Sequence, residues 1–248
     1  MSALQAAGSS RRAVLRAGVL LLPAVAAAAR EGDAAQVFAD PQLAALVLAV
    51  AMGQSRKAQA LIGQGADLAG QGDRGVTLLQ WALLRQDRRA MDLLLDLGAD
   101  PAQPGIDGDS VVHLAAMARD PGWLRSLLQR HAPVDVANRQ TGRTPLMSAV
   151  LAGRGANVAR LLAAGADPAR ADGMGNTALH VAGQTGDADL ALALLQVGAP
   201  PLARNRQGRS FRAYLFMTPE GLLTGRARRA RQAVVEWLAA QGIDAEAD

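Results

Sequence analysis

A fixed period of about 33 residues governs most of this chain and limits its fold more than any other feature. The stretches Gly75-Val76-Thr77-Leu78-Leu79, Gly108-Asp109-Ser110-Val111-Val112, Gly142-Arg143-Thr144-Pro145-Leu146, Gly175-Asn176-Thr177-Ala178-Leu179 and Gly208-Arg209-Ser210-Phe211 share one frame. Their hydroxyl residues lie 33, 34, 33 and 33 positions apart. A second frame keeps step with it: Gly65-Ala66-Asp67, Gly98-Ala99-Asp100, His131-Ala132-Pro133, Gly165-Ala166-Asp167 and Gly198-Ala199-Pro200. A unit of this length cannot bury its own apolar face, so neighbouring units must stack.

Each unit reads as turn, helix, tight turn, helix, loop. The Thr or Ser after Gly is placed to cap the first helix, and Pro145 stands at a first helical position, where its missing N–H costs nothing. Small residues follow on the inner face (Ala82, Ala115, Ala116, Ala149, Ala182, Gly183) and let helices approach closely. The second helix carries an apolar stripe, as in Ala90-Met91-Asp92-Leu93-Leu94-Leu95, and ends at a Gly suited to a left-handed cap. Half of the residues are hydrophobic but only seven are aromatic, so Ala, Leu and Val must build the core. That balance predicts an all-α chain.

The motifs resemble the ankyrin repeat family. Asn176-Thr177-Ala178-Leu179-His180-Val181-Ala182 and Gly142-Arg143-Thr144-Pro145-Leu146 match its pattern closely, and Ser110-Val111-Val112-His113-Leu114-Ala115-Ala116 matches with Val in place of Pro-Leu. The resemblance covers about residues 41–240 and implies an ankyrin repeat solenoid of about five to six repeats with degenerate end caps. Repeats fall at about 41–70, 71–103, 104–137, 138–170 and 171–203, with a carboxy-terminal cap at 204–243, all within a domain of residues 30–248. Gln80 and Met147 replace the motif His, Gln86 and Arg119 replace the usual inter-helix Gly, and His131 sits where a closing Gly belongs. In this family the motif imidazole bonds the neighbouring turn, which gives His113 and His180 a structural role.

The amino terminus reads as an export signal. Arg11-Arg12 and Arg16 precede the apolar run from Ala17 to Ala29, and Arg30-Glu31-Gly32-Asp33 follows. The paired arginines resemble the twin-arginine type, which makes residues 1–29 a cleaved signal, with cleavage after Ala26, Ala28 or Ala29. Thirteen residues at ~1.5 Å each span only ~20 Å of a ~30 Å hydrocarbon core, so the reading is a periplasmic protein with no stable membrane insertion after the signal is removed.

Several functions are excluded or disfavoured by composition. Without cysteine there is no disulfide, thiolate metal site or Cys nucleophile, and three histidines make a multi-histidine centre improbable. No phosphate-binding Gly loop, nucleophile elbow or Ser/His/Asp set occurs, so neither catalysis nor a cofactor or metal is expected. Removing the three leader arginines from 26 basic residues leaves 23 against 22 acidic ones, which argues against nucleic acid as partner. Asp67, Asp100 and Asp167 recur because a helix-following loop needs them. Trp81 and Trp123 fall on buried helix positions.

A protein-binding surface remains. By register the turn tips offer Arg74, Val76, Ile106, Asp109, Gln140, Arg143, Met174, Asn176, Arg206 and Arg209, and adjoining helix positions offer Leu84, Arg85, Met117, Leu151 and Gln184. Leu84, Met117, Leu151 and Met174 are expected to form an exposed apolar strip rimmed by arginine and amide groups. The arginines from Arg204 to Arg231 form a second, basic face on the cap.

Phe38-Ala39-Asp40-Pro41, Thr77-Leu78-Leu79-Gln80-Trp81-Ala82-Leu83, Asp120-Pro121-Gly122-Trp123-Leu124 and the tail from Asn205 to Ile243 resemble a narrower group. These are exported bacterial ankyrin immunity proteins associated with lipase or phospholipase effectors of type VI secretion. That resemblance implies binding and neutralising such a toxin in the periplasm. The alternative is a scaffold that protects or organises another periplasmic protein, such as an antioxidant enzyme.

Overall fold

The computed structural model describes residues 34–244. The expected signal segment, residues 1–29, lies outside the described residues. The described residues divide into two compact units, the first ending at Ala99 and the second beginning at Asp100.

In the first unit, α1 (Ala34–Val37) leads into α2 (Pro41–Ala51), which pairs with α3 (Ser55–Gly63); α4 (Leu78–Leu84) pairs with α5 (Arg88–Asp96). Each start has a local cause. The Asp40 carboxylate accepts from Gln42 N ahead of Pro41, and Thr77 and Gln80 form a reciprocal capping box. Leu46, Val47, Val50, Leu78, Met91 and Leu94 bury their side chains almost completely. Phe38 meets Trp81 edge to face at 6.2 Å between centroids, which seals the start of this core.

The second unit contains α6 (Val111–Met117) with α7 (Gly122–Gln129), α8 (Pro145–Leu151) with α9 (Gly155–Ala163), and α10 (Ala178–Thr185) with α11 (Ala188–Gln196). It closes on α12 (Phe211–Leu215) and the long α13 (Gly225–Ala240). The first helices α6, α8, α10 and α12 pack in sequence, and α13 covers α11. Ala115, Ala116, Ala149 and Ala182 are fully buried, as small residues at a close helix contact must be. Gly183 is the extreme case, because a Cβ there would lie 2.4 Å from the Phe211 carbonyl oxygen. On α13, Val234 and Leu238 are fully buried, while Ala230, Val235 and Trp237 are half-buried.

Two of the three missing glycines are absorbed by strain. Gln86 and His131 adopt left-handed backbone at φ 59° and 57°. At Arg119 the turn is rebuilt instead: α6 ends with Ala118 extended, and Asp120 accepts from Gly122 N to start α7. The one β-type pairing among the described residues is an isolated bridge between Gln71 and Thr77. No helix among them is long and apolar enough to cross a membrane.

Candidate protein-binding site

In the second unit the turn tips preceding each first helix are tied to one another. Arg139 N donates to Gly108 O, Gly173 N to Thr141 O and Arg206 N to Met174 O, at 2.8–2.9 Å. This close approach requires glycine at the tips: a Cβ on Gly142 would meet Gly173 N at 3.0 Å, and one on Gly175 would meet Arg206 N at 2.9 Å. Side chains lock the same turns. Asn138 Oδ1 accepts from Gln140 N and Thr141 N, while its Nδ2 donates to Asp107 O and the Asp109 carboxylate. Asp172 Oδ1 accepts from Met174 N and Asn176 N, and Asn205 Nδ2 donates to Asn176 Oδ1 and Tyr214 Oη.

The two motif histidines complete the lock. His113 Nδ1 accepts from Ser110 N, so its Nε2–H donates to Arg143 O at 2.9 Å, thirty residues on. His180 repeats the arrangement with Thr177 N and with Arg209 O at 3.1 Å. Burial lowers the His113 pKa below 6.5, against the pull of nearby Asp109, and keeps the ring neutral as this pattern needs. Both imidazoles are therefore occupied in holding the tips. Gln80 does the capping part of the job, whereas Met147 leaves only the Thr144 cap.

The sequence-derived surface residues separate into three groups. Val76, Leu84 and Ile106 are buried at 2%, 7% and 6% exposure and are corrected to core positions. Each is an apolar side chain at a site where the turn or helix faces inward, and burial removes it from water. Asp109, Met117, Arg143, Leu151, Asn176 and Gln184 are half-buried, and Arg74, Arg85, Gln140, Met174, Arg206 and Arg209 are exposed. Of the expected apolar strip, Met174 alone stands out, at 53% exposure. Arg85 lies over the Trp81 ring at 5.0 Å, and Arg209 lies 5.9 Å from the Tyr214 ring.

Asn157 was not legible as an important residue. It is buried on α9, and its Nδ2 donates to Ala115 O, Ala116 O and Ala118 O at 3.3, 2.9 and 3.0 Å. Arg154 Nε adds a bond to Met117 O. Together they cap the carbonyl end of α6, where no left-handed residue closes the helix. The departure at Arg119 was the available signal.

The carboxy-terminal arginines are mostly committed to the fold. Arg231 donates to Leu215 O and Thr218 O and stacks over Phe216; Arg226 pairs with Asp189 and Arg228 with Glu220. Arg212 is buried, and its Nη1 donates to Asp244 O. A cleft of about 610 Å³ beside α13 is lined by Phe216, Arg228, Arg231, Val235 and Ile243, with both arginines already bonded. Among the described residues no group of His, Asp and Glu is arranged to hold a metal ion. Asp67, Asp100 and Asp167 each accept from the N–H two residues on at 2.8 Å, the expected loop role.

Comparison with known proteins agrees with this architecture. The model for ankyrin repeats (three copies) matches residues 90–172 and 112–205. Protein PhlB of Serratia liquefaciens is 49% identical over 138 residues, covering 56% of this chain and 60% of PhlB. Chicken inversin is 45% identical over 78 residues, 32% of this chain and 7% of inversin. Neurogenic locus notch homolog protein 1 of Xenopus tropicalis is 34% identical over 139 residues, 56% of this chain and 6% of that protein. The matched region thus spans less than two thirds of each relative. Residues 90–205 carry ankyrin repeats, the described residues form helices and loops apart from one isolated bridge, and the chain is similar over part of its length to a bacterial PhlB-like protein. The ankyrin-repeat fold typically acts as a non-catalytic protein-binding scaffold.

Proposed function

We propose that the protein is an exported, periplasmic immunity protein that binds and neutralises a secreted lipase or phospholipase effector. The observation that carries the binding part of this reading is the tip ladder of the second unit. Its backbone groups are satisfied by neighbouring turns, which leaves Gln140, Met174, Arg206 and Arg209 exposed on a rigid support. Arginine and methionine suit such a surface: Arg is enriched among binding hot spots and Met adapts to irregular apolar contacts. The proposed anchors are Met117, Arg143 and Met174 on the second unit and, taken by themselves, Arg74 and Arg85 on the first. The toxin assignment rests on the narrower resemblance of the strings around Phe38, Thr77 and Trp123, and export rests on Arg11-Arg12 with the apolar run after it.

Affinity capture from periplasm, with residues 30–248 as bait, tests the reading. A captured hydrolase whose lipid-cleaving activity is blocked by the bait is the expected result. Capture of an antioxidant enzyme that keeps its activity would replace immunity by the scaffold role.

A further inference from the structure

The turn tips of the second unit carry a charge asymmetry. On the tips 138–143, 172–176 and 205–209 the arginines are Arg139, Arg143, Arg206 and Arg209, and the acid is Asp172. The Asp172 carboxylate is occupied at home, accepting from Met174 N, Asn176 N and Asn176 Nδ2 at 2.8, 2.8 and 3.2 Å. On the tip before, Asp109 is held by Asn138 Nδ2 at 2.6 Å, and Asp107 is exposed at that end of the row. The guanidinium groups of Arg139, Arg143 and Arg206 have no hydrogen-bond or ion-pair partner among the described residues. The backbone bonds from Gly173 N to Thr141 O and from Arg206 N to Met174 O place the Met174 tip between the two arginine-bearing tips.

We infer that this three-tip row docks an acidic protein segment, with an apolar side chain of the partner on Met174 and its carboxylates on the flanking arginines. The inference rests on the protein-binding reading above and names the partner's chemistry. Exposed guanidinium groups attract carboxylates at long range and fix register at contact, and a central apolar residue supplies the desolvated anchor that charge alone lacks. Internal satisfaction of Asp172 and Asp109 keeps their carboxylates from competing for the same arginines. The docking backbone is already ordered, so little entropy is lost on binding.

The test uses the full chain with its Met methyl groups carbon-13 labelled, titrated with a short peptide of repeated Glu-Glu-Leu units. The same peptide with Gln for Glu, and an oligothymidylate, serve as the other arms. The Met174 methyl signal should move with the acidic peptide. Those of exposed Met52 and Met217 should stay in place, and buried Met147 reports that the fold is intact. Arg139→Gln with Arg206→Gln should weaken the acidic peptide at least tenfold, about 1.4 kcal/mol, and raised salt should do the same. Equal response to the Gln peptide, a stronger Met174 response to oligothymidylate, or movement confined to Met52 or Met217 would each overturn the assignment. A natural partner that is still captured by the Arg139→Gln, Arg206→Gln chain overturns the acidic-segment assignment alone, whereas failure of the parent chain to capture any partner overturns the protein-binding reading itself.

Discussion

Replacing Asn157 by Leu isolates the device that closes helix α6. The side chain keeps its volume but loses the three Nδ2 bonds to Ala115, Ala116 and Ala118. Ala115 O retains a donor, since Ala118 N also bonds it at 3.2 Å. The Ala116 and Ala118 carbonyls lose theirs, at roughly 1–2 kcal/mol each for a buried acceptor left unsatisfied. Asn157 Oδ1 has no partner in the fold, so its removal returns about 1 kcal/mol. The net cost is about 2 kcal/mol, which for a domain of this size lowers Tm by roughly 4–8 °C. Asn157→Asp should cost more at neutral pH, because it buries a charge against carbonyl oxygens, and should regain stability as the acid protonates. Thermal and urea unfolding followed by helical circular dichroism measure both. A Leu variant as stable as the parent would show that the α6 carbonyls do not need Asn157.

Three further outcomes follow from the same geometry. Because burial lowers the folded pKa of His113, the unfolded chain takes up its proton first as pH falls below 6.5; stability should decline by up to about 1.4 kcal/mol per pH unit there, and the decline should be smaller in His113→Gln. Gly183→Ala should destabilise by about 1–3 kcal/mol although Ala is the better helix former by ~1 kcal/mol, because the new methyl meets the Phe211 carbonyl; Gly155→Ala, with nothing closer than 3.7 Å, should be neutral or stabilising. Gln86→Gly should stabilise by roughly 0.5–1 kcal/mol in urea unfolding by relieving the left-handed backbone at φ 59°.

What was legible in the sequence was whatever recurs once per repeat. The Thr or Ser cap, the buried Ala positions and the loop Asp each appear several times in register and have the role that repetition implied, while the motif His, present at His113 and His180, has the role that the family resemblance implied. Asn157 escaped notice because its partners lie 39 to 42 residues earlier and it appears once. Val76, Leu84 and Ile106 were expected on the surface because register places a residue along the chain without fixing which way its side chain turns. Burial of an apolar group decided the direction in each case. Arg231 and Arg212 looked like a solvated basic face, but their long side chains reach backbone carbonyls at the end of the stack and hold it closed.

The most direct measurement is titration calorimetry of the captured partner against the parent chain, the Arg85→Glu, Arg143→Glu pair and the Arg228→Glu, Arg229→Glu pair. The first pair should keep the helical spectrum and weaken binding by at least ~2 kcal/mol, about thirtyfold, since each change removes an attraction and adds a repulsion. The second pair should leave affinity within about threefold of the parent. Loss of binding in the cap pair, with full affinity in the first, would contradict the account.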